Sequence, residues 1–140
     1  MRIAFDLDDT LLPCAARFPL APRPWAARLF GGERLRASAP ELLRELSHAG
    51  HELWVYTTSF RSPLGVRALF LSHGVWLGGV VNQRDHDERM RSLGERWVKY
   101  PPAFNIDLLF DDSIAVVEGA QRGGFAVCHV QPTTRPGPIA

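Results

Sequence analysis

Three polar clusters, each at the end of a short apolar run, carry the residue types able to do chemistry. Ile3-Ala4-Phe5 leads into Asp6-Leu7-Asp8-Asp9-Thr10, Leu53-Trp54-Val55-Tyr56 into Thr57-Thr58-Ser59, and Leu108-Leu109-Phe110 into Asp111-Asp112-Ser113. Carboxylates gathered from Asp6, Asp8, Asp111 and Asp112 repel one another, and each has its pKa raised unless a cation stands among them. A hard divalent ion supplies that charge, and Mg²⁺ takes one or two carboxylates together with waters and phosphate oxygens. Hydroxyls after the second run, with the backbone N–H groups beside them, suit phosphate oxygens. An ammonium would neutralise further charge on a transferring group. Fifteen of the sixteen basic residues are arginine, so the single lysine, Lys99, is where a compact ammonium is expected.

Far apart in sequence, these residues need a scaffold that brings them together. Five apolar runs, Arg2–Phe5, His51–Tyr56, Gly79–Val81, Ile106–Phe110 and Phe125–Val130, read as strands covered on both faces. Helical signals separate them. Ser38-Ala39-Pro40-Glu41 reads as a capping box ahead of Leu42, Leu43, Leu46 and Ala49, with Gly50 as the stop. Ser62-Pro63 opens a second helix with Leu64, Ala68 and Leu71 on its apolar face, ending at Gly74. Met90, Leu93, Trp97 and Val98 repeat at helical spacing, and Ser113 begins a last helix with Ile114, Val117 and Ala120 that closes at Gly123-Gly124.

Strands alternating with helices predict an α/β domain, doubly wound, with a mainly parallel five-stranded sheet and helices on both faces. In such a sheet ligands bind beyond the carboxyl ends of the strands, where all three polar clusters would lie. One domain over residues 1–131 is expected, with 13–37 as a flap or lid region and 132–140 as an extended tail. A chain of 140 residues is long enough to build a core without disulfide staples.

Sixteen basic against fifteen acidic residues leave a formal charge of +1, which carries no strong nucleic-acid signal. No apolar run approaches the roughly 18 residues of a membrane span. Cys14 and Cys128 form no C-x-x-C pair, in keeping with a reducing compartment, and no signal peptide is evident. A soluble, cytoplasmic protein is the expectation.

The motifs together resemble the haloacid dehalogenase-like (HAD) superfamily of phosphohydrolases, whose four signatures occur here in order. D-x-D-x-T after an apolar strand is matched by Asp6-Leu7-Asp8-Asp9-Thr10. The strand ending in Thr or Ser is matched by Thr57, the lysine ahead of the fourth strand by Lys99, and the closing acidic pair by Asp111-Asp112. The resemblance implies a Rossmannoid fold and a Mg²⁺-dependent phosphatase working through an aspartyl-phosphate. It implies Asp6 as nucleophile and Asp8 as general acid and base. It implies metal binding by Asp6, Asp111, Asp112 and the backbone carbonyl of Asp8, and phosphate binding by Thr57, Thr58 and Lys99. The dehalogenase branch lacks the second acid, so Asp8 directs the expectation to phosphate esters.

The stretch between Thr57 and Lys99 is only long enough for core elements, and 13–37 only for a loop and a short helix, so the resemblance implies a minimal-cap member without a separate cap domain. An open site of that kind would admit a bulky phosphorylated substrate or be covered by a second copy of the chain. A low-turnover phosphate-binding or regulatory module on the same fold is the alternative. A signalling receiver domain fits less well, because the third strand ends Val80-Val81-Asn82 with no acid at its tip. Elsewhere the simpler readings prevail. Asp9 reads as a turn former, Ser113 as a helix N-cap, and the five histidines as structural or solvated. Residues 84–89 read as an exposed helix start, and Trp25, Leu29 and Phe30 as a helix packed on the sheet edge. Arg61, four residues past Thr57, is a weaker candidate for contact with an anionic substrate.

Overall fold

Alternation along the first strand divides the protein into two faces. In the computed structural model, which describes residues 1–12, 18–22 and 33–131, β1 (Arg2–Phe5) turns Ile3 and Phe5 to one side and Ala4 to the other. The next strand, β2 (Glu52–Tyr56), repeats this with Leu53 and Val55 against Tyr56. Period-two alternation with both sides apolar is what a strand covered on both faces requires.

One cluster is completed by α1 (Ala39–His48) and α2 (Pro63–Ser72), through Leu43, Val66, Leu69 and Phe70. On the other face Ala4, Tyr56, Val81 and Leu109 pack with Val116 of α4 (Ile114–Gly123). The remaining elements are β3 (Gly79–Val81), α3 (Gln83–Leu93), a 3₁₀ turn at Pro101–Phe104, β4 (Leu108–Asp111) and β5 (Val127–His129). These five strands pair in parallel, in the order β3-β2-β1-β4-β5. This is the doubly wound α/β arrangement read from the sequence. The order reverses between β1 and β4, where Phe5 registers with Phe110 and Asp6 N–H donates to Phe110 C=O at 2.8 Å. No helix of the described residues is long and apolar enough to cross a membrane.

Several local expectations are corrected. Ser38 precedes α1 with a helical backbone (φ −89°, ψ −10°) and its side chain makes no capping bond, so the capping box is absent there. It occurs instead at Asn82, whose side chain accepts from Asp85 N–H while the Asp85 carboxylate accepts from Asn82 N–H. Helix α3 ends at Leu93, because Gly94 adopts a left-handed conformation (φ 68°) and Glu95 N–H turns back to Met90 C=O. Trp97 and Val98 are therefore off the helix. On α2, Leu64 and Leu71 face solvent and the inward stripe is Val66, Leu69 and Phe70. Ile114 likewise points outward from α4.

The flap region is tied down at its ends. Residues 18–22 lie against 33–37, with Ala21 N–H donating to Leu35 C=O and Ala37 N–H to Pro19 C=O. Phe18 and Leu35 are buried, and Arg36 N–H donates to Leu11 C=O, joining this pair to the loop after β1. Trp25, Leu29 and Phe30 and the 132–140 tail lie outside the described residues.

Candidate active site

The loop after β1 is built so that two aspartates of one motif face the same space. Leu7, Leu11 and Leu12 are buried, and Leu11 and Leu12 both donate N–H bonds back to Leu7 C=O. Asp9 takes the left-handed conformation (φ 64°), which aspartate tolerates better than most residues, and the chain reverses there. The turn-forming role read from the sequence for Asp9 is the observed one. Asp6 and Asp8, flanking an inward Leu7, open together onto a cleft of about 260 Å³ with Thr58, Lys99, Asp111 and Asp112.

At the end of β4, Asp111 is held by a short turn in which its Oδ1 accepts Ser113 N–H at 2.9 Å. Ser113 occupies the N-cap position of α4, but its own side chain makes no capping bond. Oxygens of Asp6, Asp111 and Asp112 lie within 4.8 Å of one another. Thr10, the last residue of the first motif, is buried with its hydroxyl 3.1 Å from Asp6 Oδ2 and 3.4 Å from Asp112 Oδ1. Its place in D-x-D-x-T was the signal for that linking role.

Lys99 is buried, and its ammonium donates to Asp6 Oδ1 at 2.7 Å and Asp111 Oδ2 at 2.5 Å. Burial dominates the titration of the two carboxyls that hold it, Asp6 and Asp111. It pushes the Asp6 carboxyl up to about 6 although Lys99 pulls the other way, and it raises Asp111 for the same reason. Three carboxyl groups thus share a single ammonium, which cannot balance all of them when they are ionised. A hard divalent cation with oxygen ligands fits both that imbalance and the donor set.

The hydroxyl cluster after β2 divides into two parts. Thr57 is buried, held by its N–H to Val81 C=O, and its Oγ1 accepts Ser59 N–H at 3.1 Å and pairs with Ser59 Oγ at 2.9 Å. Thr58 is the member of the pair that lines the cleft. At the rim, Arg61 pairs with Asp8 Oδ1 at 3.3 Å and with Glu33 Oε1 at 2.6 Å. The Glu33 carboxylate, with Asp8 behind it, raises the Arg61 pKa further. Glu33 went unnoticed in the sequence because nothing local ties a flap residue to position 61.

Neither a protein-family model nor a curated protein matches this sequence. Among solved structures, a chain of the Pnkp1/Rnl/Hen1 complex superposes with a TM-score of 0.51 at 19% identity. The match covers 93% of this chain and 45% of that one, so this protein spans less than half the neighbour's length. At that identity the likeness is one of fold.

Two residues that sequence reading left out of the site support it from behind. Tyr56 Oη and His86 Nδ1 form a buried hydrogen bond, and both side chains reach the backbone flanking Lys99. A groove of about 900 Å³ beside α3 is larger than the acidic cleft but gathers no comparable set of converging groups. The run 84–89 lies in the first turns of α3, with Arg84, Asp87, Glu88 and Arg89 exposed and Arg84 paired to Glu88 one turn on. His86 turns inward and is buried, which corrects the expectation that the whole run is exposed.

Proposed function

We propose that this protein is a HAD-like, Mg²⁺-dependent phosphatase that hydrolyses phosphate monoesters through an aspartyl-phosphate. The single observation carrying this reading is Lys99, which meets Asp6 and Asp111 in one buried cluster at the carboxyl ends of β1 and β4. All four motif segments that suggested the family meet at this end of the sheet.

In this reading an Asp6 carboxylate oxygen attacks phosphorus while the bond to the leaving oxygen breaks, and Asp8 gives that oxygen its proton. Asp8, now a carboxylate, takes a proton from water as the water oxygen attacks phosphorus, releasing phosphate and restoring Asp6. Asp6, Asp111, Asp112 and the Asp8 carbonyl would hold Mg²⁺, which when bound neutralises charge on the phosphoryl oxygens. Lys99, Thr57 and Thr58 bind those oxygens, and Thr57 also orders the loop through Ser59. Arg61 at the rim is placed to meet an anionic part of the substrate.

The stretch from Thr57 to Lys99 is occupied by α2, β3 and α3 of the core, which supports an uncapped site. Such a site suits a bulky phosphorylated substrate, or closure by a second copy. The test is Asp6→Asn assayed for Mg²⁺-dependent phosphate release across phosphorylated metabolites, nucleotides, oligonucleotides and phosphopeptides. Turnover on the best substrate should vanish with the fold intact, and near-wild-type turnover would overturn the mechanism.

A further inference from the structure

The lysine sits on a stretch with no regular secondary structure of its own. Helix α3 stops at Leu93, the 3₁₀ turn begins at Pro101, and Lys99 lies between them. Its side chain is nonetheless buried to 3% exposure, with the ammonium shared between two carboxylates. A long, flexible side chain on an irregular segment keeps one position only if its backbone is fixed from outside.

Two buried residues do this, one on each side. His86 Nε2 lies 2.8 Å from Trp97 C=O, and Tyr56 Oη accepts Tyr100 N–H at 2.9 Å. A carbonyl only accepts, so Nε2 carries the proton, and because burial favours the neutral imidazole Nδ1 is left as the acceptor. Tyr56 Oη–H then donates to Nδ1, and both ends of the chain are satisfied: Tyr100 N–H to Tyr56, Tyr56 to His86, His86 to Trp97 C=O. Tyr56 and His86 are 0% and 4% exposed, and the bond between them is buried. Outside the chain, Trp97 stacks on Tyr100 with ring centroids 4.9 Å apart, and Phe125 meets both rings edge-on. The Lys99 ammonium also lies 5.6 Å from the Tyr56 ring centroid.

We propose that Tyr56 and His86 are positioning residues that brace the backbone on either side of Lys99 and so set its ammonium between Asp6 and Asp111. The purpose of the brace rests on the phosphatase reading, but its action on Lys99 does not. Neither residue touches the cleft.

A lone lysine makes the test direct, because lysine labelled with ¹³C at Cε gives one NMR signal, that of Lys99. The wild type should show an immobilised side chain with a displaced signal. Tyr56→Phe keeps the ring and removes the two hydroxyl bonds, so the signal should sharpen and move towards that of free lysine. His86→Asn keeps an acceptor near Tyr56 but cannot reach Trp97, and should give a smaller displacement in the same direction even if Tyr56→Phe does not fold. Turnover provides the second arm. Tyr56→Phe should lower kcat by up to the order of 10²-fold, the scale of a 1 Å misplacement. In a Lys99→Met background it should add no further loss. A Lys99 signal unchanged in a folded variant, or an equal loss of kcat in both backgrounds, would overturn the brace. A signal that moves towards free lysine in the folded variants, in a protein without phosphatase turnover, upholds the brace and counts against the phosphatase reading instead.

Discussion

Lys99 and Asp6, 93 residues apart in sequence, form a buried ion pair of 2.7 Å, and Asp111 holds the same ammonium from the other side. Charges removed from water are tolerated only when paired and hydrogen-bonded, and taking one partner away leaves the others exposed to the full desolvation penalty. Lys99→Met should therefore destabilise the metal-free protein by about 3–5 kcal/mol at pH 8. The loss should shrink towards pH 5, where the abandoned carboxyls take up protons. Urea unfolding of both proteins at the two pH values checks this. A cost that does not depend on pH would mean that packing of the lysine stem, not its charge, is what matters.

His86 makes the opposite demand on pH. Burial holds its imidazole below the ordinary range, outweighing the Trp97 carbonyl that favours the charged form. The folded protein keeps it neutral while the unfolded chain protonates it near about 6.5, so its contribution is present above that pH. It is lost as pH falls through the depressed folded value. His73, also buried and lowered for the same first reason, acts in the same sense, whereas the raised Asp6 acts in the other. Comparing wild type with His86→Gln isolates the one group. The variant should be less stable at pH 7.5, and its stability should fall less steeply between pH 7 and 5. Parallel curves would leave His86 without a titrating role.

The sequence carried the sheet and the acids plainly because both are local patterns. Alternating or continuous apolar runs fix strands, and D-x-D-x-T marks its own loop. Lys99 was legible for a compositional reason, being the only ammonium side chain among arginines. Tyr56 and His86 were hidden for the converse reason. Tyr56 reads as one more strand residue and His86 as part of a charged run, and only folding brings β2 and α3 together around residues 97–100. Trp97 and Val98 misled because their spacing continued the α3 pattern, while a single left-handed Gly94 had already ended it. Arg61 was visible as a charge near Thr57, but its partners come from distant segments, Asp8 from the first motif and Glu33 from the flap.

Asp8 differs from Asp6 in environment, and that difference should show in the leaving group. Asp6 is buried at the end of β1, while the Asp8 side chain is about one-third exposed (34%) beside Arg61. Proton donation matters most when the departing oxygen is basic. Asp8→Asn should therefore lower kcat/KM strongly for alkyl phosphates and much less for activated aryl phosphates. A leaving-group series over a range of pKa values measures the slope, and equal losses throughout would move Asp8 to a binding or structural role.

The acidic cluster should also respond to metal in a way that needs no substrate. Asp6, Asp111 and Asp112 present oxygens within 4.8 Å of one another, with one ammonium, that of Lys99, bonded to Asp6 and Asp111. An ion that binds the folded state alone stabilises it by mass action, about 2.7 kcal/mol at a hundred times its dissociation constant. Millimolar Mg²⁺ should thus raise the thermal midpoint of the wild type, and Asp111→Asn should reduce that gain by removing one charged ligand. The pH sign follows from Asp6. With its carboxyl pushed up to about 6 in the metal-free fold, protons compete with the ion below that value, and binding releases them. The Mg²⁺ gain should be full at pH 8 and should shrink as pH falls through 6 towards 5. Thermal melts of wild type and Asp111→Asn, with and without Mg²⁺ across that range, measure both effects. An equal Mg²⁺ gain in the two proteins would take Asp111 out of the metal site, and a gain that does not change with pH would separate Asp6 from it.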